Sequence, residues 1–524
     1  MDDGQRPHGV NQHLMSLVGQ VGRKRPRARL AMAVIYSLLI IGAITTLYPF
    51  AVMVTTATKG PTDQNDNKLW PAYWTDNAAL TEKYIDDKYA GDMSRIAATR
   101  IGADASPEEV AKYRKFLAEL PPTHWQSGFT TPANQVYSRL SAAYQAEMKA
   151  KFPRLDSLNQ AYLELNTTFS SVAPPAENQQ RKGWLPTPGP KYQDYVAFKE
   201  KLPTEFRIPV RAQVMYQEWL RTVYKNQIGD VPVAAKGEAT TFEAIAWPPP
   251  PEWRTRFEAE GLPVAYKGDT VEDRWAKVSD GPMPIAAEEA LWVQENAGVI
   301  RQDFLTRNFR YVGGYMLLNG RALINTAIFC LLAILTQLTV NPLAAYVLSR
   351  YPMKSTARVL LFLLATMAFP AEVAMIPSFL LLKDLGLLNT FAALVLPAAA
   401  NGYMIFLLKG FFDSLPNEIF ESGQLDGAKE STLMMRLAMP LSKPVLGYLA
   451  LLAFMGAYGA FMYAFLVAQD QRMWTLMVFI YQLQQSAPKA VMMAAVTLAA
   501  VPTLVVFLSA QRVIMRGIVL PGER

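Results

Sequence analysis

Glu421, Asp426, Gly427 and Ala428 are the residues of this chain whose types and spacing are ordered enough to do work, and the work they suit is docking rather than bond-making. They lie in the stretch NEIFESGQLDGAKESTLMMRLAMPLSKP, Asn417 to Pro444, between two apolar segments each long enough to cross a bilayer. Pro416 suits the first turn of a helix, where its missing N–H costs nothing. Ile419, Phe420 and Leu425 form an apolar patch that continues through Ala428, and Asp426-Gly427 is a turn dipeptide in which glycine supplies backbone angles closed to other residues. Leu433, Leu437 and Leu441 follow at i, i+4 and i+8, one stripe of a second helix that Pro440 and Pro444 are expected to end. The product is a helical elbow over residues 416–444, with an apolar face that suits a groove or helix of a soluble partner. Lys429, Arg436 and Lys443 put that elbow on the cytoplasmic side by charge bias.

Other chemistry is thinly represented. His8, His13 and His124 are scattered and the single Cys330 falls in an apolar segment, which argues against a metal site and rules out a disulfide within the chain. The sequence has no GxxxxGK[ST] phosphate loop and no GxSxG nucleophile turn, so no catalytic residues are assigned and no cofactor is expected in this chain. Residues 59–318 carry 31 basic and 33 acidic side chains, whereas the remainder holds 20 basic against 11 acidic and supplies all of the net +7. Those positives hug the ends of apolar segments, so they read as membrane topology and not as a nucleic-acid surface.

The elements that must position the elbow are membrane spans. At 524 residues, 51% hydrophobic and 18% charged, the chain reads as a membrane protein with a substantial soluble part. Residues 1–29 are polar and basic, with a possible amphipathic surface helix from His13 to Val21, and six positives precede the first span at about 30–54. The first apolar segment is long and lacks a small-residue cleavage site, so it is expected to remain as an anchor. Further spans are expected at about 325–349, 359–382 (broken by Pro370 and Pro377), 391–412, 445–468 and 490–512. That makes six transmembrane helices in an all-α polytopic protein, a five-helix core over 319–512, a tail over 513–524, and both termini in the cytoplasm. Glu372 stands out in spans that hold almost no charges and reads as a residue near the external surface.

Between the first and second spans the chain leaves the membrane for residues 59–318. Nine of the ten tryptophans are there, which indicates a folded domain. Ser106-Pro107-Glu108-Glu109 reads as a capping box opening a helix to about Leu120. Further helices are expected from Thr131-Pro132 to about Phe152, from Val210 to Lys225 and from Ala286 to Asn308. A weak repeat relates Tyr144-Gln145…Thr167-Thr168-Phe169 to Tyr216-Gln217…Thr240-Thr241-Phe242, with starts 72 residues apart.

Glu421-Ser422-Gly423, then Asp426-Gly427-Ala428, then Met439-Pro440 resembles the coupling motif of ABC importer permeases, usually Glu-Ala-Ala, Asp-Gly-Ala and a hydrophobic residue with Pro. Ser422 and Gly423 stand where Ala-Ala is usual, so small residues are kept. Leu47 to Met53, Ala344-Ala345-Tyr346 with Ser349-Arg350, and Gly386 to Thr390 are similar to elements of the maltose or carbohydrate type. The resemblance covers about 30–58 and 319–524, and the large insertion is the main departure from it.

It implies the type I importer permease fold in a bacterial inner membrane, with residues 59–318 extracytoplasmic. The expected partners are an ATPase dimer carrying ATP and Mg, a second permease subunit, an extracytoplasmic solute-binding protein and membrane lipid, with no nucleic acid. Coupling would fall to Glu421, Ser422, Gly423, Asp426, Gly427, Ala428, Met439 and Pro440. In the fifth span Tyr458, Met462 and Tyr463 could contact a neutral solute or serve interhelical packing; related permeases usually have Trp-Asn where Tyr458-Gly459 stand and Pro where Ala464 stands. The favoured reading is a transport subunit, not an enzyme, of a binding-protein-dependent sugar importer. Two others stay open: a membrane-anchored extracytoplasmic glycan-binding or enzymatic module, and an ABC permease for a non-sugar solute.

Overall fold

The computed structural model describes residues 26–60, 62–92, 95–97, 104–130, 139–166, 169–177, 179, 183–184, 189–314, 316, 321–351, 353–368 and 370–517. The expected surface helix at His13–Val21, the start of the helix at Thr131 and the tail from Ile518 lie outside them.

Among the described residues the fold is all-α apart from one short antiparallel pair. Helix α1 (Pro26–Ala57) is the first span. The inserted domain follows with α2 (Asn77–Lys88), α3 (Pro107–Glu119), β1 (Trp125–Ser127), α4 (Arg139–Lys151), α5 (Leu155–Tyr162), α6 (Pro190–Lys201), β2 (Arg207–Pro209), α7 (Ala212–Val223), α8 (Pro251–Glu260), α9 (Val271–Trp275) and α10 (Ile285–Gly314). The membrane core comprises α11 (Ala322–Arg350), α12 (Thr356–Met367), α13 (Ala371–Asp384), α14 (Phe391–Val395), α15 (Gly402–Asp413), α16 (Asn417–Leu425), α17 (Lys443–Tyr458), α18 (Met462–Val467), α19 (Leu476–Ser486) and α20 (Lys489–Gly517).

Among the described residues three helices are long and apolar enough to cross a membrane unbroken, within α1, α11 and α20, and the count rises to five if each of two bent pairs is one span. The expected third span is two helices, α12 and α13, parted at Pro370, while Pro377 sits inside α13. The expected fourth span bends by 51° between the α14 segment and α15. The fifth stops at Tyr458 and resumes as α18, and α19 is an apolar helix the sequence reading did not anticipate. Breaks of this kind are tolerated at membrane depth where neighbouring helices or a cavity satisfy the freed backbone groups.

Helix α10 joins the two halves. Its first part gives Ile285, Val293, Ile300 and Phe304 to the core of the inserted domain, and its last part gives Val312 to the membrane core. The sequence reading ended this helix at Asn308, six residues short of Gly314. Asn308 is buried there and donates from Nδ2 to the carbonyls of Ala57 (2.8 Å) and Lys59 (2.7 Å), which caps the end of α1. The insertion is thus fastened to the first span rather than hung from a loose linker.

The weak repeat is a structural one. Tyr144 in α4 and Tyr216 in α7 are both fully buried. Gln145 donates to the carbonyl of Val172 (3.1 Å) and Gln217 to that of Ile245 (2.9 Å). Each acceptor lies three residues after the phenylalanine that opens a 3-10 turn, Phe169–Ser171 in one copy and Phe242–Ala244 in the other. Strands β1 and β2, one ahead of each copy, pair with Gln126 opposite Ile208. Thr167 and Thr168 lie outside the described residues.

Candidate functional site: the elbow and the cavity among the spans

Helix α16 ends in a Schellman turn, which is what Asp426-Gly427-Ala428 encodes. The N–H of Gly427 donates to Gln424 O (2.9 Å) and that of Ala428 to Gly423 O (3.0 Å), so two carbonyls left over at the helix end are satisfied. Gly427 has φ +78°, in the left-handed region that favours glycine. Gly423 meets a different demand: a Cβ built there would come within 2.6 Å of Leu433 Cδ2, a buried atom of the opposite arm. The departure from Ala at this position matches the closeness of the two arms.

The second arm runs from Glu430 to Leu441 and contains a π-helical stretch, Leu433–Ala438. The wide turn stands where the Pro440 ring would press on the carbonyl four residues back. It also shifts the phase of the leucine stripe. Leu433 is buried, Leu437 is half-buried and Leu441 is exposed, so most of the expected apolar face packs inward on the chain's own helices. What the elbow offers outward is Leu425, 88% exposed, and Met435, 63% exposed, beside the exposed Glu421, Ser422 and Asp426. Of the remaining residues expected to couple, Met439 is half-buried and Pro440 exposed on the second arm. Pro444 opens α17 instead of ending the arm, and the chain turns by 82° there.

The end of α11 grips the elbow. Arg350 donates from Nη1 to Asn417 Oδ1 (2.6 Å) and from Nη2 to Phe412 O (2.7 Å), with its guanidinium 3.7 Å from the Phe420 ring centroid. Tyr346 donates to Glu430 Oε2 (3.1 Å), and Ser349 to Asp413 Oδ1 (2.7 Å). The sequence marks Arg350 through the Ser349-Arg350 resemblance but assigns it no elbow contact; its spacing from Tyr346, one helical turn back, is the available signal. Arg350→Lys keeps the charge and loses the planar fork. It is expected to cost about 1.5–3 kcal/mol of elbow anchoring, seen as faster tryptic cleavage after the exposed Lys429, whereas a purely topological role predicts an unchanged cleavage rate.

A cavity of about 520 Å³ lies among α11, α13, α15 and α17. Its polar lining is Gln337, Ser378, Asn401, Tyr403 and Tyr463, and among the described residues no Asp, Glu, Lys or Arg lines it. Asn401, at the break before α15, donates its N–H to Asn341 Oδ1 (2.8 Å) and caps α15 by accepting from Met404 N (3.1 Å). Gln337 is buried on the wall, and its Oε1 has no partner among the described residues. Of the three fifth-span residues, Tyr463 lines the cavity and donates to Ala393 O (2.7 Å). Tyr458 is turned away to the Ala499 carbonyl, and Met462 is exposed outside the cavity. Gln337 and Asn401 were missed because neither spacing nor composition marks a lone amide on an apolar helix. Glu372 is exposed in the first turn of α13 and does not line the cavity.

The profile of the family described as "Binding-protein-dependent transport system inner membrane component" matches residues 341–519. Protein LplC of Bacillus subtilis is 32% identical over 192 residues, 34% of this chain and 64% of its own length. The sn-glycerol-3-phosphate transport system permease protein UgpE of Yersinia pestis is 30% identical over 264 residues, 49% of this chain and 89% of its own. The polygalacturonan/rhamnogalacturonan transport system permease protein YtcP of Bacillus subtilis is 29% identical over 197 residues, 34% of this chain and 68% of its own. Among solved structures, a bacterial ABC transporter that imports the acidic polysaccharide alginate aligns at 23% identity and TM-score 0.36, over 39% of this chain and 78% of that one. The family match, 341–519, leaves residues 59–318 uncovered. With a 30% identical relative matched over 89% of its length, the chain belongs to the family of binding-protein-dependent transport system inner membrane components.

Proposed function

We propose that this chain is the permease subunit of an ATP-driven importer for sugars or oligosaccharides, coupled through the 416–444 elbow to a separate ATPase dimer that carries ATP and Mg. The observation that carries the reading is the elbow itself: a Schellman-closed hook, gripped by Arg350, with Leu425 and Met435 bare beside Glu421. A hook held this firmly moves with the helices it joins. Closure of two ATPase subunits would draw a pair of such elbows together and tilt α15 and α17, which wall the cavity, opening it to one face and then the other. A second permease subunit, an extracytoplasmic solute-binding protein, cytoplasmic termini and an external 59–318 domain complete the proposed assembly.

The uncharged cavity lining favours a neutral polyol, since a cation or phosphate there would lack a counter-charge. UgpE is named for sn-glycerol-3-phosphate and YtcP for polygalacturonan/rhamnogalacturonan, both of them anionic, so a neutral and an anionic solute are the alternatives. Uptake into vesicles carrying the chain with its ATPase, second permease and binding protein separates these: labelled neutral oligosaccharide is expected to accumulate on ATP addition, and accumulation of sn-glycerol-3-phosphate alone would overturn the substrate class. Gly456 lies on the cavity wall, and a Cβ built there meets nothing within 4 Å. Gly456→Trp is therefore expected to cut uptake about tenfold or more by filling the passage, a cost of roughly 1.4 kcal/mol or more, with assembly unchanged in pull-down and Gly456→Ala close to parent.

A further inference from the structure

Between the cluster around Trp275 and Met283 and the cluster around Tyr216 and Phe257 lies a cleft of about 740 Å³, within the ~300–1,000 Å³ usual for small-molecule pockets. We propose that this cleft binds a neutral saccharide, a ligand site of the insertion distinct from the membrane cavity.

One wall is aromatic. Trp247 is half-buried at the surface of the cleft, backed by Tyr216 and Phe257 with ring centroids 6.2 and 6.1 Å away. A held indole face suits the C–H face of a sugar ring. Around it the polar groups are set before any ligand arrives, and the Arg254 guanidinium lies 5.7 Å from the indole centroid. Arg211 and Gln213 are buried, and the guanidinium donates to Gln213 Oε1 and lies 3.8 Å from Glu272. Glu272 also accepts from the N–H groups of Ala212 (2.9 Å) and Gln213 (3.1 Å) at the start of α7. Asp273 is held by Thr270 in a capping box and by Arg254 at 2.9 Å. The rim is fixed too: Trp275 donates from Nε1 to Gly281 O (2.8 Å), pinning the 279–283 segment. Donors and acceptors so arranged lose little freedom when a ligand binds.

The charges select the class. Arg211 and Arg254 each lie against a carboxylate, and Glu243 is paired with Arg221 at 2.5 Å, so among the described residues Asp280 is the lining charge without an ion pair. An anionic sugar would face that carboxylate uncompensated. A neutral polyol meets donors, acceptors and an indole in one cleft, and planar carboxylate and guanidinium groups suit paired hydroxyls.

The test is calorimetric titration of the purified full-length chain in detergent with maltotriose, cellotriose, xylotriose and mannotriose, and with digalacturonate and spermidine as charged comparisons. At least one neutral trisaccharide is expected to bind saturably. Trp247→Ala, and Ala276→Trp at an exposed lining position, are each expected to weaken it at least tenfold, with parent-like melting for Ala276→Trp. Gly456→Trp in the membrane cavity should leave binding intact, so this site and the transport reading fail separately. Absence of binding by all four trisaccharides at millimolar concentration, tighter binding of spermidine or digalacturonate, or indifference to Ala276→Trp would overturn the proposal.

Discussion

A Gly427→Pro protein is expected to reach the membrane and yet fail to hold an ATPase partner, with solute uptake down about a hundredfold. Proline fixes φ near −65°, whereas this residue sits at +78°. Proline also removes the N–H that donates to Gln424 O at 2.9 Å. Together these cost about 3 kcal/mol or more, and every 1.4 kcal/mol is roughly a tenfold loss of the native elbow. The side-chain series checks the cause. Asn tolerates the left-handed region and is expected to stay near the parent; Val, with a left-handed cost of about 1–2 kcal/mol, should lose roughly tenfold. Glu421→Lys works differently, since Glu421 is exposed and the reversal leaves the turn intact. It is expected to abolish pull-down of the ATPase without accelerating cleavage after Lys429. Parent-rate uptake by both Gly427→Pro and Glu421→Lys would remove the elbow from the mechanism.

How legible the elbow was depends on which force set each feature. Asp426-Gly427-Ala428 was legible because a left-handed helix cap has few solutions and glycine marks the commonest. The leucine stripe misled because a period of 3.6 was carried through Pro440, where the chain adopts a wider turn that rotates Leu441 outward. Arg350 was hidden because a terminal arginine on a span carries the same charge whether or not it is forked onto Asn417 and Phe412. In the cavity, Tyr463 was within reach of pattern reading. Gln337 was not, since its meaning lies in what it faces after folding.

The insertion shows the same division. The capping box at Ser106 and Glu109 forms as the local sequence suggests, because it needs only residues three apart. The passage of α10 from one core into the other depends on Val312 meeting the membrane helices, a tertiary fact without a local marker. Tryptophans divide likewise: Trp125 is fully buried and Trp70 is 65% exposed, and composition alone treats them alike.

That junction carries the largest stability effect expected outside the membrane. Asp87 on α2 accepts from Arg307 Nη2 (2.6 Å), Lys83 Nζ (2.7 Å) and Thr62 Oγ1 (3.0 Å), and its side chain is 3% exposed. Burial pushes its carboxyl up, but Arg307 and then Lys83 more than offset this, so it sits well below the ordinary carboxylate range. Asp87→Ala removes the carboxylate that Arg307 and Lys83 share while both stay buried, with Asp63 still 2.8 Å from Lys83, and is expected to cost about 3–5 kcal/mol. The sign with pH follows from the depressed value. The native carboxyl binds its proton less readily than the unfolded one, so its contribution is fully present above about pH 3.9 and is lost as pH falls through the lower native value. Melting of the parent should therefore steepen below about pH 4 by up to roughly 1.4 kcal/mol per pH unit relative to Asp87→Asn, which lacks the titrating group. Equal acid slopes in the two proteins would show that Asp87 does not hold the network. Because Arg307 adjoins Asn308, which caps α1, loosening this cluster should also weaken the link between the insertion and the first span. The expected signature is a lower response of ATPase activity to the binding protein with basal hydrolysis retained, and a response unchanged in Asp87→Ala would mean that the insertion does not act through α10.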